Sequence, residues 1–147
     1  MKITIRSAEN ADFPIMLEMF RDFSVYQKLP ERMHNTLERM TEEHEFFHAF
    51  VAETGDKEII GYATWFFTYF TWSGKGLYMD DLFVRSAFRS RGVGALLMER
   101  MISFARESKC HKLRWQVSHW NKPAISFYKK LGAEIDDLEK NCDLDLD

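Results

Sequence analysis

Hydrophobic and polar positions along this 147-residue chain fall into two registers, one alternating and one close to helical. The opening KITIR alternates and predicts a short strand. Residues 11–27, ADFPIMLEMFRDFSVYQ, carry Ile15, Met19, Phe20 and Phe23 at helical spacing. Asn35 with Glu38 has the spacing of a capping box and predicts a second helix through about Glu45. Three strands are predicted next. FHAFVAE (47–53) leads through the turn TGDKE into the long, aromatic, β-branched IIGYATWFFTYF (59–70), and TWSGKG separates this from LYMDDLFV (77–84). In the segment 93–106, Val93, Leu96, Leu97, Met101 and Phe104 form one stripe, with Glu99, Ser103 and Arg106 elsewhere, as an amphipathic helix requires. KLRWQVS (112–118) alternates through Leu113, Trp115 and Val117 and predicts a strand. KPAISFYKKLG (122–132) predicts a short helix, with Pro123 near its start, two lysines in its last turn and Gly132 just beyond. The tail CDLDLD (142–147) alternates strictly and predicts a final strand.

This order defines an α/β class. Three consecutive strands with short turns pair antiparallel, and the strand–helix–strand unit from about 77 to 118 makes a right-handed parallel crossover. The result is a mixed sheet in a single domain spanning 1–147. Chemistry in such sheets sits at the carboxyl end of the strand that precedes the crossover helix.

Composition narrows the function. The chain is 46% hydrophobic and 29% charged, which suits a globular domain with a real core. A net charge of -3 gives no overall electrostatic case for nucleic acid. No apolar run reaches the roughly 20 residues of a membrane helix, and the start MKITIRSAEN has no signal-type apolar segment. A cytoplasmic setting is expected, with Cys110 and Cys142 as free thiols. Five scattered histidines, His111 and His119 among them, lack metal-ligand spacing, so no metal is expected. The run WFFTYFTW is more apolar than one sheet face needs and suggests a contact between copies of the chain.

The most informative short stretch is RSRGVG (89–94), where two glycines follow two arginines at a helix entry. A Walker A loop would need Gly-Lys-Ser/Thr at its end, but Ala95 and Leu96 follow Gly94. A dinucleotide fingerprint would need a small residue where Leu97 stands. What remains is a turn whose glycines admit close backbone approach and whose amides can face a pyrophosphate, or else a plain helix entry with solvated arginines.

Context supplies more. RSRGVG, the preceding LYMDDLFV and the later WNKPAISFYKKLGA resemble, in order, the motifs of the GNAT N-acetyltransferase superfamily. FFTYFTWSGKGLYMDDLFV and VSHWNKPAISFYKKLGA resemble most the diamine, or spermidine/spermine, N1-acetyltransferase family. The resemblance covers essentially the whole chain and implies acetyl-CoA as the acetyl donor. It implies that the backbone of Leu82, Phe83 and Val84 pairs with the pantetheine arm as an added strand would. It implies that Arg89, Ser90, Arg91, Gly92, Val93, Gly94 and Ala95 cradle the pyrophosphate. Asn121 would contact the cofactor, with Lys122, Pro123 and Ala124 alongside, and Tyr128 would protonate the departing thiolate. The family also implies a homodimer.

Several roles stay open at this level. Tyr128 shares an i, i+3, i+4, i+7 stripe with Ala124, Phe127 and Leu131 and could be core. Asn121 could be only a helix cap. Successive strand residues face opposite sides, so only one of Asp80 and Asp81 is expected to face the substrate; Asp80 matches a family glutamate and is the choice. An alkyl amine has a pKa of about 10.4, so the site must attract a cation and then accept its proton, both of which a carboxylate can do. Tyr26 and Gln27 align with a family pair that recognises polyamine, with Gln27 in place of an acid. Residues 134–147 add seven Asp or Glu against one lysine, although a solvated acidic end would look the same. The expected activity is direct acetyl transfer to a primary amine of a small polycationic substrate: a diamine, a polyamine or a lysine analogue. A protein amine or another amine metabolite is the second reading, and a non-catalytic acyl-CoA-binding module the third.

Overall fold

A computed structural model describes all residues, Met1–Asp147, in two compact units, Met1–Gln116 and Val117–Asp147. The first unit is built on a five-stranded sheet in the order β1-β2-β3-β4-β5. Its strands are β1 (Ile3–Ser7), β2 (His48–Thr54), β3 (Ile59–Phe70), β4 (Gly74–Val84) and β5 (Lys112–Arg114). The first three pairings are antiparallel and β4–β5 is parallel, which is the mixed sheet with a crossover expected from the element order.

The helices of this unit are α1 (Phe13–Tyr26), α2 (Leu37–Glu42) and α3 (Val93–Glu107). Alternation along the strands serves two cores. Ala49, Val51, Tyr62 and Phe83 pack with Met16 and Met19 of α1. Phe50 and Trp65, one residue out of step, instead meet Phe104 of α3, with ring centroids 5.5 and 4.6 Å apart. The α3 stripe is as expected: Val93, Leu97 and Met101 are buried and Glu99, Ser103 and Arg106 exposed, although Leu96 lies at the edge of the stripe and is exposed. Arg6 braces the entry to α1 with two hydrogen bonds to Asp12, at 2.8 and 2.9 Å, and one to Glu53 of β2 at 3.0 Å.

Five expectations need correction. Thr36, not Asn35, caps the second helix: its hydroxyl accepts from the Arg39 amide, and Asn35 accepts from the Thr36 amide instead. That helix ends at Glu42, and a 3-10 turn, His44–Phe46, takes up the rest. The strand expected at 112–118 pairs only over Lys112–Arg114, opposite Gly76–Tyr78 of β4. The segment 142–147 is no strand; it is exposed throughout. TWSGKG is only partly a break, since Phe70 pairs with Gly74 and β4 begins there. Gly76 lies under the Phe70 ring, where any Cβ would collide.

The second unit contains α4 (Lys122–Lys130), with Pro123 in its first turn and Gly132 at φ +91° just past its end.

Candidate active site

The early end of β5 matters for function. β4 keeps its β3 partner to Val84, but its other edge is paired only as far as Tyr78. From Met79 to Val84 that edge carries backbone donors and acceptors with no strand beside them, which is what an added extended ligand needs. Leu82, Phe83 and Val84 lie on this stretch.

The chain then turns through Arg89–Gly92 into α3. Ser90 and Gly92 both take left-handed backbone, at φ +62° and +81°. Gly92 caps α3 with no side-chain hydrogen bond, so no cap takes up the first amides of the helix, those of Val93, Gly94 and Ala95. A Cβ at Gly92 would meet nothing within 4 Å, so the surface over the helix start is open. Free amides at the positive end of a fifteen-residue helix, beside Arg91, suit a pyrophosphate. Arg89 is held differently from Arg91. Its Nε donates to the Val84 carbonyl at 2.9 Å, and its guanidinium lies over the Tyr26 and Phe83 rings at 4.4 and 5.5 Å. Arg89 thereby links the loop, the end of β4 and the C-terminal end of α1, where Tyr26 is the last residue and Gln27 the cap.

Asp80 and Asp81 occupy a break in the ladder. Thr64 pairs with Asp81 and Trp65 with Met79, so Asp80 is the extra residue of a β-bulge and strict alternation fails at this point. The Thr64 hydroxyl accepts from the Asp81 amide at 3.0 Å and fixes the bulge. The expectation that simple alternation separates the two carboxylates therefore does not hold. Asp80 reaches solvent, yet the protein packed around its carboxylate raises its pKa. Asp81 is half-buried; burial first, then the charge of Asp80, push it up to about 7. A carboxylate that titrates at neutrality can accept a proton there, a property that the resemblance to a family glutamate, which favoured Asp80, does not bring out for Asp81. Its signal is the bulge, which is a property of pairing and not of sequence.

In the second unit Asn121 is buried and caps α4, its Oδ1 accepting from the Ala124 amide at 3.3 Å. Lys122, Pro123 and Ala124 form the first turn. Tyr128 is 8% exposed, its ring 5.4 Å from that of Phe127, and its carbonyl accepts from the amides of Leu131 and Ala133. No group of three or more His, Cys, Asp or Glu is arranged to hold a metal ion. No helix is long and apolar enough to cross a membrane.

A splayed β4 edge followed by a glycine-entered helix with no side-chain cap is the arrangement of a GNAT-type acyltransferase. The chain belongs to the acetyltransferase (GNAT) family, whose model matches residues 13–133, and it is an acetyl-CoA-dependent amine N-acetyltransferase. It is 32% identical to the thialysine N-epsilon-acetyltransferase of Sus scrofa over 89% of this chain and 84% of that protein. It is 28% identical to the spermidine/spermine N(1)-acetyltransferase-like protein 1 of Homo sapiens over 88% of this chain and 20% of that longer protein. The fold matches the structure of a putative acetyl transferase from Pyrococcus furiosus with a TM-score of 0.75 and 23% identity, over 97% of this chain and all of that one.

Proposed function

We propose that this enzyme acetylates a primary amine of a small substrate that carries a second cationic group: a diamine, a polyamine or a lysine analogue such as thialysine. The single observation that carries the reading is the carboxylate pair at the β4 bulge, with Asp81 at about 7. The match to thialysine N-epsilon-acetyltransferase and to a spermidine/spermine N(1)-acetyltransferase-like protein supports the same substrate class. One acetyltransferase domain spans both units, in keeping with a family match that runs through the two.

Acetyl-CoA supplies the acetyl group as a thioester. In this proposal Val93, Gly94 and Ala95 hold its pyrophosphate through their amides, Arg91 adds charge, and the edge of Leu82, Phe83 and Val84 that no strand pairs aligns the pantetheine arm, with the Val84 carbonyl held by Arg89. Asn121, with Lys122 to Ala124, contributes at the start of α4. Asp80, the more exposed carboxylate, draws the cation in, and Tyr26 at the end of α1 and Gln27 at its cap help to bind it. Asp81 takes the proton from the ammonium and frees the nitrogen lone pair to attack the thioester carbonyl. Tyr128 returns a proton to the thiolate that leaves. Transfer is direct, so neither cysteine acts as a nucleophile. The test is thiol release with acetyl-CoA across thialysine, 1,4-diaminobutane, spermidine and a lysine-containing peptide, with mass spectrometry of the products. Mono-acetylated small diamines are expected; acetylation of the peptide alone would overturn the reading.

A further inference from the structure

Tyr62 is fully buried on β3, yet its hydroxyl has no hydrogen-bond partner. Its ring is well placed, edge-on to Phe20 of α1 at 5.1 Å and 5.9 Å from Phe83 of β4. Phenylalanine would keep these contacts without stranding an oxygen, and buried hydroxyls are almost always paired. Charge surrounds the orphan. Asp81 and Asp80 of β4 and Asp22 of α1 stand near enough to act, after burial itself, on the ionisation of the Tyr62 hydroxyl, which stays neutral. Pairing accounts for this: Tyr62 lies opposite Phe83 and Thr64 opposite Asp81, so Tyr62 and Asp81 are diagonal neighbours on one sheet face. Asp22 stands on α1 between Phe20 and Phe23, whose rings pack on Tyr62 and Phe83. The group therefore offers hydroxyl lone pairs and carboxylate oxygens. It is not a metal-binding arrangement. An alkylammonium, with three N–H donors and a positive charge, matches it.

We propose that Tyr62 Oη and the Asp81 carboxylate together bind the ammonium group of the acceptor, with Asp22 adding charge on the α1 side, so that Tyr62 is a substrate-binding residue of this enzyme. The inference rests on the amine-acceptor reading above. Tyr62→Phe removes one oxygen and keeps the ring. Its melting temperature should equal or exceed the wild-type value, because no hydrogen bond within the protein is lost. KM for 1,4-diaminobutane and for thialysine should rise about tenfold or more, the size of a lost hydrogen bond to a charged group. Both kcat and the KM for acetyl-CoA should change by less than about threefold, a split that a purely structural residue would not produce. Calorimetry of 1,4-diaminobutane with CoA-saturated protein should show the same weakening. Wild-type turnover of these diamines with an unchanged KM in Tyr62→Phe overturns the subsite alone. Failure of the wild-type enzyme to bind or acetylate either diamine overturns the acceptor reading, and the subsite with it.

Discussion

Replacing Asp81 by asparagine should move stability and activity in opposite directions. Folded Asp81 titrates at about 7 against an ordinary 3.8, so between these values the folded chain keeps a proton that the unfolded chain has lost. Stability therefore falls as pH rises from about 4 to about 7, and the full cost is present above 7. Below about 4 both states are protonated and the group contributes nothing. At about 1.4 kcal/mol for each unit between folded and unfolded values, a difference of about three makes a ceiling of about 4 kcal/mol. Asp81 is only half-buried, and solvent screening reduces this, so a gain of about 1–3 kcal/mol at pH 8 is the expected range for Asp81→Asn. The amide that Thr64 binds belongs to the backbone and survives the substitution. Urea unfolding at pH 4 and pH 8 measures the effect: no difference at the lower pH, a more stable variant at the higher. In the same variant, loss of the proton acceptor should lower kcat/KM by about 10²–10⁴-fold. A variant that is less stable than wild type at pH 8, or equally active, would refute the assignment.

Gly94→Glu should abolish acetyl-CoA binding by calorimetry, through a carboxylate set among the amides meant for pyrophosphate. A Cβ at Gly94 comes no closer than 3.9 Å to Val84, so the variant should fold, and unchanged affinity would remove the loop assignment. Tyr128→Phe should lower kcat by about 10²–10⁴-fold with acetyl-CoA affinity nearly intact; wild-type kcat, measured where chemistry limits the rate, would make Tyr128 a packing residue. Phe66, Phe67, Tyr69 and Trp72 are exposed on the β3–β4 hairpin, Trp72 almost completely, and their apolar surface supports association of two copies. Light scattering at micromolar concentration should give a dimer mass, and a monomer mass would contradict this.

Element type was legible in the sequence wherever one side chain pattern decided it. The α3 stripe and the alternation of β2 are of this kind, because period and burial follow from the same residues. The glycine-rich entry to α3 was legible too, since left-handed backbone at Gly92 has a residue-type signature. Features set by a partner were not. CDLDLD alternates as well as any strand, but alternation cannot reveal whether an edge awaits it. KLRWQVS likewise does not announce that its pairing stops at Arg114, although that stop leaves the β4 edge free. The bulge at Asp80 depends on register with Thr64 and Trp65, and so the poise of Asp81 was hidden. Tyr62 reads in sequence as one more aromatic core residue; only its buried, unpartnered oxygen marks it out.

The central claim is that a dicationic amine is the preferred acceptor, and the most direct test compares kcat/KM for 1,4-diaminobutane and butylamine at low and high salt. A second ammonium paired with a carboxylate contributes roughly 1.5–3 kcal/mol, so the diamine should be favoured by about 10–150-fold at low salt. The advantage should shrink as salt rises, because Asp80 and Asp22 are open to solvent and their pairs are screened. Equal kcat/KM for the two amines at low salt would contradict the account.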